Sequence, residues 1–295
     1  MSNTKIAVVG IPGKWSTEVL ADVLEEKTGF RLVIDMKDLS INLTTGQISV
    51  GEKSLNDLDG IIVKKISQTY SPNTQDRIDL LRFAENQGIR VFSKPEKMIR
   101  MIDRLSCTMT LRNADIPMPD TVVTEDVSAA FSTVTEYGAA VFKPLYSTKA
   151  QGMCLISAND SEDNIIEQIE AFKKTNPMMY IQRKLDLKGQ DYGMIFLGGR
   201  YIGAYARVSQ TDAWNTTIDS GGKYAAYEPS QENIALAEKA QSLFELDFTT
   251  VDIAETNHGP IIFEVSAFGG FKGALEGAGL NAAELYADYV IAELN

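Results

Sequence analysis

Histidine is nearly missing from this chain of 295 residues, which has only His258. That scarcity excludes the Ser-His and Cys-His nucleophile arrangements and every multi-histidine metal site, because His258 falls among turn-forming residues. Acid–base work is left to carboxylates, lysines or the substrate itself. Cysteine is also scarce: Cys107 and Cys154 sit in the apolar contexts RLSCTMTL and GMCLIS without metal-ligand spacing. They read as buried reduced thiols rather than as a disulfide or a zinc site. No apolar run approaches the roughly 20 residues that span a bilayer. The first residues, MSNTKIAVVG, enter a strand pattern with no basic stretch, apolar core or cleavage site, which predicts a cytoplasmic chain. Basic charge is in deficit too. A formal net charge of −12 argues against nucleic-acid and anionic-membrane partners, so any anionic ligand must be met by a local basic pocket.

What is present is globular in character: 44% apolar and 23% charged residues, over a length suited to two lobes. Residues 5–10 (KIAVVG) predict a strand. A helix follows from about Thr17, with Ser16 as N-cap and Trp15 stapled onto Leu20, and it ends at Thr28-Gly29. The intervening Gly10-Ile11-Pro12-Gly13-Lys14 lacks the hydroxyl residue that a phosphate loop needs after its lysine. Strands at 31–34, 60–63 and 91–92, with a helix at 76–87, predict a small parallel α/β domain over residues 1–95. Lys64, Lys65, Tyr70 and Ser71 follow one of these strands, where α/β sheets place ligand contacts and where solvated loops also lie.

Ser93-Lys94-Pro95-Glu96 has the pattern of a capping box, and Asp103 caps a second helix to about Asn113. Pro117-Met118-Pro119 punctuates the chain. Alternating strands and helices then run over 120–183, a hairpin turns at Gly198-Gly199-Arg200, and a polar stretch covers 208–227. Residues 231–244 read as a helix, 267–280 as a loop and 282–294 as the last helix.

The stretch FTTVDIAETNHGPIIFEVS (248–266) reads as a β-hairpin whose turn lies in Thr256-Asn257-His258-Gly259-Pro260. Folding it about His258 sets Asp252 opposite Glu264 and puts Ser266 on the same face, with Val251, Ile253, Phe263 and Val265 facing the core. Facing carboxylates cost a few tenths to about 1 kcal/mol. Either a hard cation such as Mg²⁺ neutralises them or the face is solvated.

Upstream, Ala139-Ala140-Val141-Phe142-Lys143-Pro144 ends an apolar strand in a lysine and leads into a loop with Ser147, Thr148, Lys149 and Gly152. Such a lysine either snorkels or delivers its ammonium to a phosphate. Tyr180-Ile181-Gln182-Arg183-Lys184 then runs from strand into linker, and Asp191 follows.

In this order, a strand lysine with its loop, a strand-to-linker segment, an aspartate and a late Asp, Glu-x-Ser hairpin resemble the ATP-grasp superfamily. The branch most similar contains the ribosomal protein S6 modification enzymes and related glutamate ligases. YSTKAQGM, WNTT and EVSAFGGF further resemble the ATP-grasp member of the GAK system. The resemblance implies an ATP-grasp fold over 96–295, two α+β subdomains clasping ATP with a lid at about 120–180, preceded by the small N-terminal domain.

It also implies roles for particular residues. Lys143 and Arg104 would contact ATP phosphates, Lys149 would belong to the loop that closes over them, and the main chain of Gln182, Arg183 and Lys184 would meet the adenine. Asp191 would hold the ribose. Asp252, Glu264 and Ser266 would bind Mg²⁺, with Mn²⁺ as a substitute, and Arg207 and Asn215 would contact the transferred phosphate and the acceptor. The implied reaction joins a small-molecule carboxylate to an amine, or to a peptide or protein terminus, through an acyl phosphate; a homo-oligomer is compatible.

This chain departs from the pattern at Ser266 in place of Asn, Gly193 and Asn215 in place of Arg, and a loop with one glycine. Those losses remove carboxylate and phosphate grips. They point away from glutamate-chain substrates, while Ala267-Phe268-Gly269-Gly270-Phe271 would shape a more aromatic pocket. A nucleotide-binding regulatory subunit and a small-molecule kinase are the competing readings.

Overall fold

The computed structural model describes residues 4–148, 150–210, 216–218 and 221–295. Lys149 and Asn215 lie outside the described residues. The N-terminal region contains β1 (Ile6–Val9), α1 (Trp15–Thr28), β2 (Val33–Ile34), β3 (Leu39–Asn42), β4 (Gln47–Val50), β5 (Lys53–Ser54), β6 (Gly60–Val63), α2 (Asn73–Asn86) and β7 (Arg90–Phe92). β1 and β6 are buried along their whole length, as their unbroken apolar runs require of strands covered on both faces. They form the centre of a parallel sheet in the order β2-β1-β6-β7.

The antiparallel meander β3-β4-β5 was hidden in the sequence by short polar strands. Two expected caps also differ. α1 starts at Trp15 with Lys14 as N-cap, and Glu18 accepts the Gly13 amide at 2.6 Å, which leaves Trp15 46% exposed instead of stapled. Ser93 does not cap the next helix, because its hydroxyl is buried and accepts the Asp247 amide at 2.8 Å.

α3 (Pro95–Ile102) and α4 (Arg104–Asn113) follow, and the Asp103 carboxylate accepts the Leu105 amide at 3.0 Å as the cap of α4. A second layer is built from β8 (Thr121–Thr124), α5 (Val127–Tyr137), β9 (Ala139–Lys143), β10 (Cys154–Ser157), α6 (Glu162–Lys173) and β11 (Met179–Arg183). Its antiparallel sheet, ordered β10-β9-β11-β8, has its own core of Val134, Phe142, Ile169, Ile181 and neighbours.

The remainder supplies β12 (Gln190–Leu197), β13 (Arg200–Val208), β14 (Lys223–Ala226), α7 (Gln231–Ser242), β15 (Phe248–Thr256), β16 (Gly259–Ser266), α8 (Phe271–Ala278) and α9 (Ala282–Leu294). The sheet runs β14-β13-β12-β15-β16. Its core is shared with the N-terminal sheet: Ile6, Val8, Leu20 and Ile62 pack in one cluster with Ile195, Phe248, Phe271 and Val290. No helix among the described residues is long and apolar enough to cross a membrane.

α8 stands where the sequence predicts a loop. Glycine-rich segments have poor intrinsic helix propensity, but tertiary packing overrides it here. A Cβ on Gly273 would lie 2.5 Å from the Tyr205 ring, and one on Gly277 would lie 2.5 Å from the Tyr205 Cβ. Glycines one turn apart open a slot on α8, and Tyr205 fills it.

Candidate active site

Asp252 and Glu264 are direct cross-strand partners on β15 and β16, and Thr250 faces Ser266 two residues further on. All four side chains line one cavity of about 830 Å³. The register explains how. The turn is tight, with Thr256 paired to Gly259 and Ile253 to Ile262, a phase that would set Asp252 against Phe263. A bulge between Asp252 and Ile253 absorbs one residue and restores the Asp252–Glu264 pair. Phe263, expected in the core, is turned to the cavity instead, where the Lys143 ammonium lies 5.4 Å from its ring centre.

The acids do not confront each other unscreened. Arg207 on β13 donates to Asp252 Oδ2 at 3.1 Å and forms a two-point pair with Asp191 through Nε at 3.1 Å and through Nη2. Arg104 donates to Glu264 Oε2 at 2.9 Å, to the Pro144 carbonyl at 3.2 Å and to Ser147 Oγ at 3.3 Å. Burial, with Glu264 and Asp191 nearby, pushes the Asp252 carboxyl above the ordinary range, and Arg207 opposes that rise. Both oxygens of Asp191 are engaged, since Thr216 also donates to Oδ1 at 2.6 Å. A ribose contact there would need one of these bonds to exchange.

Lys143 ends β9 and donates to Gln182 Oε1. Gln182 is buried, and its Nε2 donates to Thr121 Oγ1 and to Tyr180 Oη, each at 3.2 Å. Tyr180 Oη lies 3.0 Å from Thr108 Oγ1. The Gln182 side chain therefore fixes Lys143. Burial first, and then repulsion from Arg104, lowers the Lys143 ammonium to about 7, while Glu264 acts to raise it. The Arg183 and Lys184 amides are spent on the carbonyls of Asp120 and Ala139, at 2.9 and 3.0 Å. A nucleobase would meet this linker through its carbonyls or the residues after Lys184.

Gly193, where the resemblance expects arginine, is forced by packing: it pairs with Tyr205, and a Cβ there would lie 2.4 Å from the Tyr205 ring. The aromatic ring takes the room a guanidinium would need. Of the other candidates, Cys107 is buried and its thiol is raised to about 12 by that burial, whereas Cys154 is only partly buried. His258 is exposed at the turn.

Sequence reasoning missed Thr250, Thr216 and the Thr121–Tyr180–Thr108 set. Thr250 alone had a signal, the two-residue step from Asp252. Its Oγ1 is buried without a hydrogen-bond partner among the described residues. The face thus presents two carboxylates, the Ser266 hydroxyl and an orphaned threonine oxygen. No cluster of three or more His, Cys, Asp or Glu occurs among the described residues. Mg²⁺ takes oxygen ligands, one or two carboxylates completed by water and phosphate, so this donor set fits it.

The fold and site define a class, the ATP-grasp proteins, and the sequence agrees. Residues 101–290 match the RimK-like ATP-grasp domain. The chain belongs to the RimK-like ATP-grasp family, and so to the ATP-dependent ligases that form C–N bonds. It is similar to the tetrahydromethanopterin:alpha-L-glutamate ligase of Methanosarcina acetivorans, 26% identical over 95% of this chain and 96% of that one. Among solved structures it resembles the ATP-grasp ligase PsnB with a phosphomimetic variant of its minimal precursor, Mg and ADP (TM-score 0.77, 19% identity, 100% of both chains). It also resembles D-alanyl-alanine synthetase A of Vibrio cholerae (TM-score 0.74, 14% identity, 100% of this chain and 98% of that one).

Proposed function

We propose that the protein activates a carboxylate with ATP as an acyl phosphate and passes the acyl group to an amine, the amine belonging to a small molecule or to a peptide terminus. Asp252, Glu264 and Ser266 would hold Mg²⁺, and Mn²⁺ would suit the same oxygen donors. The ion, when bound, supplies charge neutralisation for the terminal phosphates.

The rest falls to this chain's own groups. Lys143, held by Gln182, and Arg104, paired with Glu264, receive phosphate charge in this reading. Arg207, fixed by Asp191 and paired with Asp252, steadies the γ-phosphoryl group as it moves. The substrate carboxylate oxygen bonds to the γ-phosphorus while the bond to ADP breaks. The amine then bonds to the acyl carbon, and phosphate departs with the electron pair of the acyl C–O bond and takes the proton that the amine sheds. No protein base has to be assigned, which suits a cleft without histidine. Catalysis of this kind rests on positioning and charge placement.

The observation that carries this reading is the Asp252–Glu264 pair with an arginine on each member, opposite a buried lysine. Its test is ADP and phosphate release with pooled carboxylates and amines, repeated with hydroxylamine. A hydroxamate reports the acyl phosphate; a stable phosphate ester indicates a kinase, and nucleotide binding without ADP formation indicates a regulatory subunit.

A further inference from the structure

The residue after β6 is Lys64. It is buried at 4% exposure and lines the same cavity as the acidic face. Its ammonium donates to the Phe268 carbonyl at 2.7 Å, more weakly to the Gly269 carbonyl at 3.4 Å, and lies 4.3 Å from the centre of the Phe271 ring. Among the described residues no carboxylate forms an ion pair with it. A buried ammonium held by two carbonyls and a ring is positioned but not neutralised, and such a charge is costly without a counter-ion.

Its surroundings are polar and incompletely bonded. Phe268 and Gly269 belong to the loop that leaves Ser266, and Gly269 and Gly270 press on Thr250, whose hydroxyl has no partner among the described residues. On the other side, the Lys64 amide bonds to the Val9 carbonyl at 2.8 Å, next to Gly10. Against Gly10 sits Thr17 of α1, whose Oγ1 is likewise buried without a partner among the described residues and which lines the same cavity. Lys65 flanks the group from the next position, its ammonium 4.8 Å from the Tyr70 ring centre.

We propose that Lys64, with the Thr17 and Thr250 hydroxyls to either side, forms an anion subsite separate from the nucleotide. It takes a carboxylate or phosphate group of the substrate other than the reacting carboxylate. This rests on the ligase reading above, because Lys64 is held by the short loop beyond Ser266, whereas Lys143 is held by Gln182. The substrate class is then an acid bearing a second anionic group, seated between the N-terminal sheet and the loop before α8. The aromatic edge pair Tyr70–Phe268, with ring centres 6.5 Å apart, borders the same chamber. A compound with an apolar or aromatic body between its two anionic ends suits it. Burial lowers the Lys64 ammonium to about 7, which is the behaviour of a lysine lacking its anion.

Calorimetry on the full chain tests this. With Mg²⁺ and AMPPNP saturating, inorganic phosphate and glutarate are each titrated into wild type and Lys64→Met. The expected result is one-to-one anion binding to wild type, weakened about tenfold or more in the variant, as for loss of a charged hydrogen bond. The AMPPNP affinity of the variant stays within about twofold of wild type, since Lys64 and Lys143 share no hydrogen-bond partner among the described residues. Whichever probe binds more tightly distinguishes carboxylate from phosphate. Equal anion affinity in the two proteins, or anion binding only when AMPPNP is absent, overturns the subsite. Failure of wild type to bind Mg–AMPPNP instead overturns the ligase reading beneath it. A selenate soak of wild-type crystals needs no variant: anomalous density beside Lys64 Nζ supports the subsite, and density confined to other positions overturns it.

Discussion

Asp252 and Glu264 are opposite one another on neighbouring strands, and each hands its charge to a different arginine, Arg207 and Arg104. The two guanidiniums come from separate parts of the chain, β13 and the first turn of α4. This is the arrangement expected of a site whose arginines exchange carboxylates for phosphates. It also answers the question posed by facing acids: protein cations pair with both of them.

Removing Arg207 should therefore expose the dependence of two acids on one cation. Arg207→Met leaves Asp191 and Asp252 unpaired in a largely buried position, and breaking such a pair from one side costs about 3–5 kcal/mol. Asp252→Asn leaves the Asp191 pair intact and should cost markedly less. Urea unfolding of both variants checks the order.

Both Nε2 protons of Gln182 are given to Thr121 and Tyr180 and its Oε1 accepts from Lys143, so its effect on nucleotide should run chiefly through Lys143. Gln182→Leu strands the lysine, Thr121 and Tyr180 without their shared partner, a loss of about 1–3 kcal/mol. In steady-state kinetics, the KM for ATP is expected to rise about tenfold or more with kcat changed less, as for a lost ground-state contact. An unchanged KM would remove Gln182 from the account.

Much of this could be read from residues alone. The parallel sheet was legible because β1 and β6 are continuous apolar runs, and the hairpin because two apolar stretches flank a cluster of turn residues. The reading of the hairpin reached the right pair by compensation: it centred the turn on His258, whereas the turn is tighter and the bulge restores the phase. A bulge inserts one residue without a fixed sequence mark, so Phe263 could not be assigned to the cavity in advance. α8 was invisible for a different reason, since its glycines serve Tyr205, a residue some seventy positions earlier. The arginine partners were likewise long-range, and charge pattern along the chain does not encode which acid an arginine meets.

Gly193 should be intolerant of even a methyl group. A Cβ 2.4 Å from the Tyr205 ring forces the ring out of its slot on α8, and overpacking of this kind costs about 1–3 kcal/mol. Thermal unfolding should show Gly193→Ala melting several degrees lower, about 2–4 °C per kcal/mol for a chain of this size. Pairing it with Tyr205→Leu should recover part of the loss.

The buried ammonium of Lys64 has a pH signature. Below about pH 7 it is charged in both folded and unfolded chains, and the full burial cost is present. Between about 7 and the ordinary lysine value of 10.5, the unfolded chain holds a proton that the folded chain has released, so stability rises with pH. Lys64→Met lacks this dependence, and Lys143 contributes equally to both proteins. The stability of wild type relative to the variant should therefore improve between pH 7 and pH 9, by about 1.4 kcal/mol per unit at most. Parallel pH profiles would contradict it.

The most direct measurement is AMPPNP binding by calorimetry, with and without Mg²⁺, to wild type and Glu264→Gln. The account predicts binding to wild type that strengthens about a hundredfold with Mg²⁺, a gain that Glu264→Gln loses while its melting temperature stays close to wild type. Equal affinity with and without the ion, or a variant that keeps the full Mg²⁺ response, would contradict the assignment of the acidic face to a metal-bound nucleotide.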